Sequence, residues 1–146
     1  MNGSLRLKLQ SDLNKARKAR DKARTLVLST TLSEIRNREI ELGKDLDDGE
    51  CLTVLSRAVK RRNEAAEQMR SGGRDDLAER EEGEAEILSG YLPPGLAEEE
   101  VRQLVREIMG EGIQELGPVM GRLMPLLKGR FDGKEANRIV REELAR

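Results

Sequence analysis

Two carboxylates interrupt an apolar stripe near the middle of the chain, and they are the side chains best suited to acid–base or metal chemistry. At about 100° per residue of helix, Glu81 and Glu84 share a face with Leu77, Leu88 and Tyr91. Paired carboxylates on helices can hold a metal ion or perform the proton transfers of a hydrolase. Helical di-metal sites also use histidines, however, and this chain has none. The sequence therefore predicts no catalytic residue, no metal and no cofactor.

An arginine in the preceding helical stretch gives these carboxylates a structural role instead. Arg62 falls among the apolar residues of its own stripe, and the short SGGRDD connection places the two helices antiparallel. A charge on a core-facing stripe is costly unless it is paired. We therefore predict a structural ion pair between Arg62 and either Glu81 or Glu84.

The final stretch, VMGRLMPLLKGRFDGKEANRIVREEL, has the residue types of a phosphate-contacting surface. On its last helix Lys134, Arg138 and Arg141 fall within about 60° of one another, and Lys128 and Arg130 precede that helix. A row of cations suits the sugar-phosphate backbone, and the scarcity of aromatic residues favours folded RNA over stacked single strands. These five residues are our predicted RNA contacts. A solvated helix face is the alternative that the pattern leaves open.

Helices must position these residues, because the composition is that of an all-α protein. Of 146 residues, 36% are hydrophobic and 38% charged, with one Phe and one Tyr, and the abundant types are good helix formers. Glycine, proline and aspartate divide the chain into seven helical stretches, and the double proline of LPPG at 92–95 cannot continue a helix. We expect an N-terminal four-helix region, 1–91, followed by a small three-helix C-terminal domain, 92–146.

Individual residues mark where these helices begin and end. Ser4 and Asp21 are candidate N-caps of the first two helices, and Gly43 is a candidate stop of the second. Pro125 is expected to end or kink the sixth helix, and Asp132 to cap the seventh.

Charge is nearly balanced overall, at −1, but it is distributed unevenly. Residues 1–24 hold eight Lys or Arg against two Asp, a net of +6. Residues 75–115 hold three Arg against thirteen Asp or Glu, a net of −10, and residues 117–146 hold seven Lys or Arg against four Asp or Glu, a net of +3. Charge alone favours helix faces that pair with one another over a polyanion-binding surface built from the basic ends.

The single cysteine and the short apolar segments indicate where in the cell the protein is located. Cys51 has no partner for an intrachain disulfide and no histidine for a zinc site, so we interpret it as a small helix residue. The first ten residues lack the apolar core of a signal peptide, and the longest apolar cluster, LVLSTTL, is too short to cross a bilayer. We predict a cytoplasmic protein that does not contact membranes.

Three segments together carry a resemblance to a known family. KARDKARTLVLSTTLSEIRN, VKRRNEAAEQMRSGGRDDLAEREEGEAEILSGYLPPGL and MGRLMPLLKGRFDGKEANRIVREEL resemble the YqeY family, the GatB/YqeY domain proteins. Ala65, Ala97 and Leu116-Gly117-Pro118 depart from the family pattern. The resemblance implies an all-helical protein whose smaller C-terminal domain is similar to the tail domain of GatB in the glutamine-dependent aminoacyl-tRNA amidotransferase. That tail contacts the body of the tRNA, away from the catalytic site.

The resemblance and the basic tail together predict a tRNA-associated binding module that is not catalytic by itself. The alternative is a protein–protein adaptor or accessory of a glutamine-dependent amidotransferase or an aminoacyl-tRNA synthetase, with the acidic middle as its surface. Carbon–nitrogen ligase activity with glutamine as amido-N donor is implied by homology only. The catalytic cradle of GatB has no counterpart here, so an enzyme is the less favoured interpretation.

Overall fold

The computed structural model describes residues 4–146, which form seven α-helices and no strand. The all-α prediction is therefore confirmed. The helices are α1 Ser4–Lys18, α2 Lys22–Leu42, α3 Asp48–Ser71, α4 Asp75–Ser89, α5 Glu98–Gly110, α6 Leu116–Leu127 and α7 Gly133–Leu144. The chain divides into two compact units, of which the first ends at Leu92 and the second begins at Pro93. The LPPG signal places this boundary one residue earlier.

Side-chain and glycine signals set the helix ends in the first unit. The Asp21 carboxylate accepts a hydrogen bond from the backbone N–H of Arg24 at 3.1 Å, which satisfies one free donor at the start of α2. Gly43, at φ 68°, ends α2 in the left-handed conformation that glycine adopts without strain. Asp47 and Glu50 form a reciprocal capping box at the start of α3.

The core of the first unit consists of aliphatic side chains from its four helices. α1 packs on α2, and α3 packs extensively on α4. The large aliphatic residues Leu9, Leu28, Ile35, Leu55 and Leu88 are all fully buried. Cys51 is also fully buried, and burial raises the pKa of its thiol to about 11. It therefore behaves as a small apolar residue.

Alanines line the seam between α3 and α4. Ala58 and Ala66 of α3 and Ala78 and Ala85 of α4 are all buried. Side chains this small let two helix backbones approach closely. Sequence periodicity instead favoured Leu77 as an inward residue of α4, and it is only half-buried.

The second unit is a three-helix cluster with a separate aliphatic core. Its buried apolar residues come from α5, α6 and α7: Val101, Val105, Ile108, Val119, Leu123, Leu127, Ala136, Ile139 and Val140. Pro125 lies inside α6, which ends two residues later at Leu127. Asp132 occupies the N-cap of α7, but its side chain makes no cap hydrogen bond to that helix. No helix in the described residues is long and apolar enough to span a membrane.

Candidate nucleic-acid interface

The last helix separates its apolar and basic residues as the amphipathic pattern predicts. Ala136, Ile139 and Val140 are fully buried against the other helices of the second unit. Lys134 and Arg141 lie on the exposed side. α7 therefore rests its aliphatic face on the core and turns cations outward.

Arg138, at the centre of the basic row, is surrounded by carboxylates. Its Nε lies 3.0 Å from Glu135 Oε2, its Nη1 2.7 Å from Glu142 Oε1, and its Nη2 2.5 Å from Glu98 Oε1. The hydrogen bonds that this guanidinium donates to Glu135, Glu98 and Glu142 raise its pKa above the ordinary value. A phosphate approaching Arg138 would have to displace these carboxylates, so this residue differs from its neighbours in the predicted contact set.

The other four predicted contacts are not neutralised in this way. Within residues 93–146, none of Lys128, Arg130, Lys134 and Arg141 forms an ion pair with a carboxylate, whereas every other arginine of the second unit does. Arg141 Nε donates to the neutral Asn137 Oδ1 at 2.7 Å, and Arg130 Nε donates to the Pro94 carbonyl at 3.2 Å. Their positive charges therefore remain available to an external anion.

A buried carboxylate on α7, that of Glu143, forms ion pairs with three arginines. Glu143 is only 4% exposed. Arg106 Nε lies 2.6 Å from its Oε1, and Arg102 Nη1 and Arg146 Nη1 lie 3.2 and 3.4 Å from its Oε2. The pKa of Glu143 is lowered, mainly because Arg106 donates a hydrogen bond to its carboxylate. Since Arg102 also contacts Glu98 and Glu142, the clamp on Glu143 is continuous with the carboxylates around Arg138.

We call this set of residues the α5–α7 charge network: Glu98, Arg102, Arg106, Arg138, Glu142 and Glu143. Sequence reasoning missed the network, although two signals for it were present. Glu143 falls within the apolar arc of α7, where an unpaired charge would be costly. Arg102 and Arg106 are spaced i, i+4 on α5, so they lie on one face and can reach the same partner.

The predicted structural ion pair lies in the first unit and concerns a different surface. Arg62 Nε is 3.4 Å from Glu84 Oε2, and the side chains are only 13% and 16% exposed. Arg62 Nη1 also donates to the Ala58 carbonyl at 3.2 Å. Glu81 is half-buried and enters no ion pair in the described part of the chain. The geometry therefore joins Arg62 to Glu84 rather than to both glutamates.

Comparison with known proteins shows that one family model matches nearly the whole chain. The family model described as "Yqey-like protein" matches residues 6–144. The chain belongs to this family. No group of three or more His, Cys, Asp or Glu that could hold a metal ion occurs in residues 4–146.

Curated relatives of this YqeY-family chain are fungal proteins named "Altered inheritance of mitochondria protein 41, mitochondrial". The protein of Pyrenophora tritici-repentis is 28% identical over 141 residues, which cover 92% of this chain and 78% of that protein. The protein of Lachancea thermotolerans is 37% identical over 106 residues, covering 70% of this chain and 57% of that protein. The protein of Saccharomyces cerevisiae is 29% identical over 125 residues, covering 79% and 68%.

These relatives overturn the predicted location of the YqeY-family chain. All three are named as mitochondrial proteins, which contradicts the cytoplasmic prediction. That prediction rested on the lack of an apolar N-terminal segment, a criterion that detects secretory signals only. Organelle transit peptides are amphipathic and rich in arginine and serine, so they do not show an apolar core.

Proposed function

We propose that this YqeY-family chain is a non-catalytic RNA-binding module whose second unit contacts the sugar-phosphate backbone of tRNA. One observation carries the proposal: the ion pairing within residues 93–146 leaves four cations without a carboxylate partner, and all four belong to the predicted contact set. They are Lys128, Arg130, Lys134 and Arg141. Cations without a carboxylate partner contribute their positive potential to the surface of the second unit.

Contacts of this kind position a nucleic acid without reading its sequence. Lysine and arginine side chains bind phosphate oxygens and release condensed counterions, so affinity falls as salt rises. Four contacts predict a slope of log affinity against log salt of about −3 to −4. Phe131, the only aromatic of the tail, packs against the core of the second unit, which favours backbone contact over base stacking.

Arg138 takes a different role in this proposal from the one that the sequence predicted. Because it is held by three carboxylates, we assign it to holding α7 against α5 rather than to contacting phosphate. The RNA contacts are then the loop residues Lys128 and Arg130 and the helix residues Lys134 and Arg141, which flank it.

A double substitution with a matched control tests the proposal. Lys134→Gln/Arg141→Gln removes two unpaired cations, and Arg122→Gln/Arg146→Gln removes the same charge from residues that are paired to Glu111 and Glu143. Binding of a tRNA transcript is measured by fluorescence anisotropy over a range of salt. The first variant is expected to reduce the salt slope by about 1.5 to 2, and the control to leave it nearly unchanged. Equal slopes for wild type and the first variant would refute the placement.

The adaptor function is the second candidate, and exposed carboxylates on α4 favour it. Glu79 and Glu86 are exposed and enter no ion pair in the described residues, so an acidic surface is available to a basic protein partner. Binding to a purified amidotransferase or aminoacyl-tRNA synthetase would have to survive nuclease treatment and be lost in Glu79→Gln/Glu86→Gln. A complex that dissolves on nuclease treatment would instead support the RNA-binding module.

A further inference from the structure

The turn between α1 and α2 carries a group of exposed cations outside the second unit. We call it the turn cluster, and it consists of five residues: Lys15, Arg17, Lys18, Arg20 and Lys22. Three of them end α1, Arg20 lies at the turn and Lys22 begins α2. All five side chains are exposed. Between positions 15 and 22 the only acidic residue is Asp21.

The carboxylates beside the turn cluster are already engaged by other groups. The Tyr91 hydroxyl donates to Asp12 Oδ2. Asp21 accepts from the backbone N–H of Arg24 and lies 3.7 Å from the Arg24 guanidinium. No ion pair within residues 4–146 involves any member of the turn cluster. Its charge is therefore uncompensated inside the molecule.

Arg20 occupies a backbone conformation in which glycine would be less strained. The end of α1 is a Schellman motif, with Arg20 N–H bonded to the Arg17 carbonyl and Asp21 N–H to the Ala16 carbonyl. Arg20 has φ 59° and is the only residue other than glycine with positive φ in the described chain. The same motif at the end of α3 uses Gly73, at φ 77°. At one of two equivalent turns, therefore, a cation stands where local stability favours glycine.

Lys22 also opposes a local preference. The N-terminal end of a helix is electropositive, so acidic residues are favoured in its first turn. α3, α4, α5 and α7 follow this rule, whereas α1, α2 and α6 have no acidic residue in their first turns. α2 has no acidic residue in its first turn, and Lys22 is its first residue. The dipole of α1 explains the cations in its own last turn, but it explains neither Lys22 nor Arg20. Positions that break a local rule are expected at functional or strained sites.

We propose that the turn cluster binds the sugar-phosphate backbone of a duplex region of RNA, independently of the second unit. Five uncompensated cations on consecutive turns fit a partner that presents closely spaced phosphates, and a nucleic-acid duplex carries one charge per about 1.7 Å of its axis. The planar guanidinium forks of Arg17 and Arg20 suit bidentate contacts with phosphate oxygens. The choice of RNA over DNA rests on the proposed function.

The composition of the cluster favours a nucleic acid over the other polyanions. Stable attachment to an anionic membrane needs an apolar anchor in addition to a basic patch, and no apolar side chain larger than alanine lies among positions 15–22. Specific protein interfaces have a dehydrated core depleted of charge, which five exposed cations do not provide. No aromatic side chain lies among positions 15–22, so backbone contact with a duplex is favoured over stacking on single strands.

The test compares two triple substitutions that remove the same charge from the first unit of the full-length chain. Arg17→Gln/Lys18→Gln/Lys22→Gln neutralises the turn cluster. Arg36→Gln/Arg38→Gln/Arg57→Gln neutralises three exposed arginines elsewhere in that unit. Binding to a fluorescent RNA hairpin of about 20 base pairs is measured from low to high salt. DNA of the same sequence, phosphatidylserine vesicles and poly-glutamate serve as alternative ligands, and thermal unfolding checks that each variant folds.

The inference predicts that the turn variant loses about 100-fold in RNA affinity near 0.1 M salt and that its salt slope falls by about 2 to 3. The control variant is expected to stay within about threefold of wild type. Equal losses in both variants would overturn the inference, because they would report net charge only. A turn-dependent loss seen only with DNA, vesicles or poly-glutamate would also overturn it. If Lys134→Gln/Arg141→Gln lowers affinity and the turn variant does not, this inference fails and the proposed function stands.

Discussion

The turn cluster and the α5–α7 charge network place the same basic residue types in opposite surroundings. In the network each guanidinium lies within 2.5 to 3.7 Å of carboxylate oxygens, and these ion pairs link helices to one another. In the turn cluster five cations face solvent, and the nearby carboxylates of Asp12 and Asp21 are bound elsewhere. The difference teaches that the number of cations in a segment does not tell how many remain exposed and unpaired. That depends on whether carboxylates lie within reach in the folded chain.

The difference also separates stability from binding. Substitutions in the network should change the stability of the second unit, because a carboxylate there is buried. Substitutions in the turn cluster should leave stability nearly unchanged and alter affinity for polyanions, because exposed charges contribute little to folding. Both sides of this contrast can be tested by substitution.

The largest effect is expected from Glu143, the buried member of the network. Glu143→Ala removes the shared acceptor of Arg102, Arg106 and Arg146 and leaves three guanidinium groups without this carboxylate. Breaking a buried ion pair costs about 3–5 kcal/mol, and less where the guanidinium can turn to water, so we expect a loss of about 2 kcal/mol. Chemical denaturation of the second unit, followed by amide hydrogen exchange, measures it.

The matched control is Glu142→Ala, which removes an exposed carboxylate at the adjacent position. It should change the free energy of unfolding less than Glu143→Ala does. Equal losses from the two substitutions would show that burial of Glu143 adds nothing to the free energy of unfolding. The proposed difference in stability between the network and the turn cluster would then be contradicted.

Acid should weaken the network as well. The pKa of Glu143 lies below its ordinary value of 4.5, because Arg106 donates a hydrogen bond to the carboxylate. A lowered folded-state pKa means that the stabilisation is complete above the unfolded pKa and is lost as pH falls through the folded one. Stability should therefore decline as pH drops below about 4.5. Glu143→Gln should be less stable at neutral pH and show a shallower decline in denaturation measured at successive pH values.

Two neighbouring arginines of α7 allow a comparison on a single helix. Arg141→Gln removes an unpaired cation, whereas Arg138→Gln removes one that is held by three carboxylates. Each phosphate contact raises affinity about five- to eightfold when salt falls from about 1 M to about 0.1 M. We therefore expect Arg141→Gln to lower tRNA affinity by about this factor at about 0.1 M salt. Arg138→Gln should change tRNA affinity less. The reverse order would place the phosphate contact at Arg138.

Sequence reasoning reached the fold because helix signals are local. Seven helices follow from periodicity and from stops such as Gly43 and LPPG, and Leu88, which lies on the apolar stripe of α4, is fully buried. Pairing is not local. The carboxylates around Arg138 include Glu98, forty residues away in sequence, and no spacing rule within α7 reveals it. Alanine seams are missed for a similar reason, since Ala78 and Ala85 are buried by the close approach of α3.

The smallest expected effect has opposite signs for stability and binding. Arg20→Gly relieves the left-handed strain at the end of α1, and after the entropy that glycine adds to the unfolded chain we expect a gain of about 0.5 kcal/mol. The same substitution removes a member of the turn cluster, so affinity for the RNA hairpin should fall severalfold. Thermal unfolding and RNA titration of one preparation measure both quantities.

The matched control uses the equivalent position of the α3 Schellman motif. A Cβ atom at Gly73 would meet no atom within 4 Å, so Gly73→Arg adds a cation whose first side-chain atom has room. It introduces the strain that Arg20 already bears, and we expect a loss of about 1 kcal/mol with no gain in RNA affinity. If Arg20→Gly instead lowers stability, arginine at this turn contributes to folding itself. Arginine would then not be the less favourable residue at position 20, and this argument for a binding role of the turn cluster would be lost.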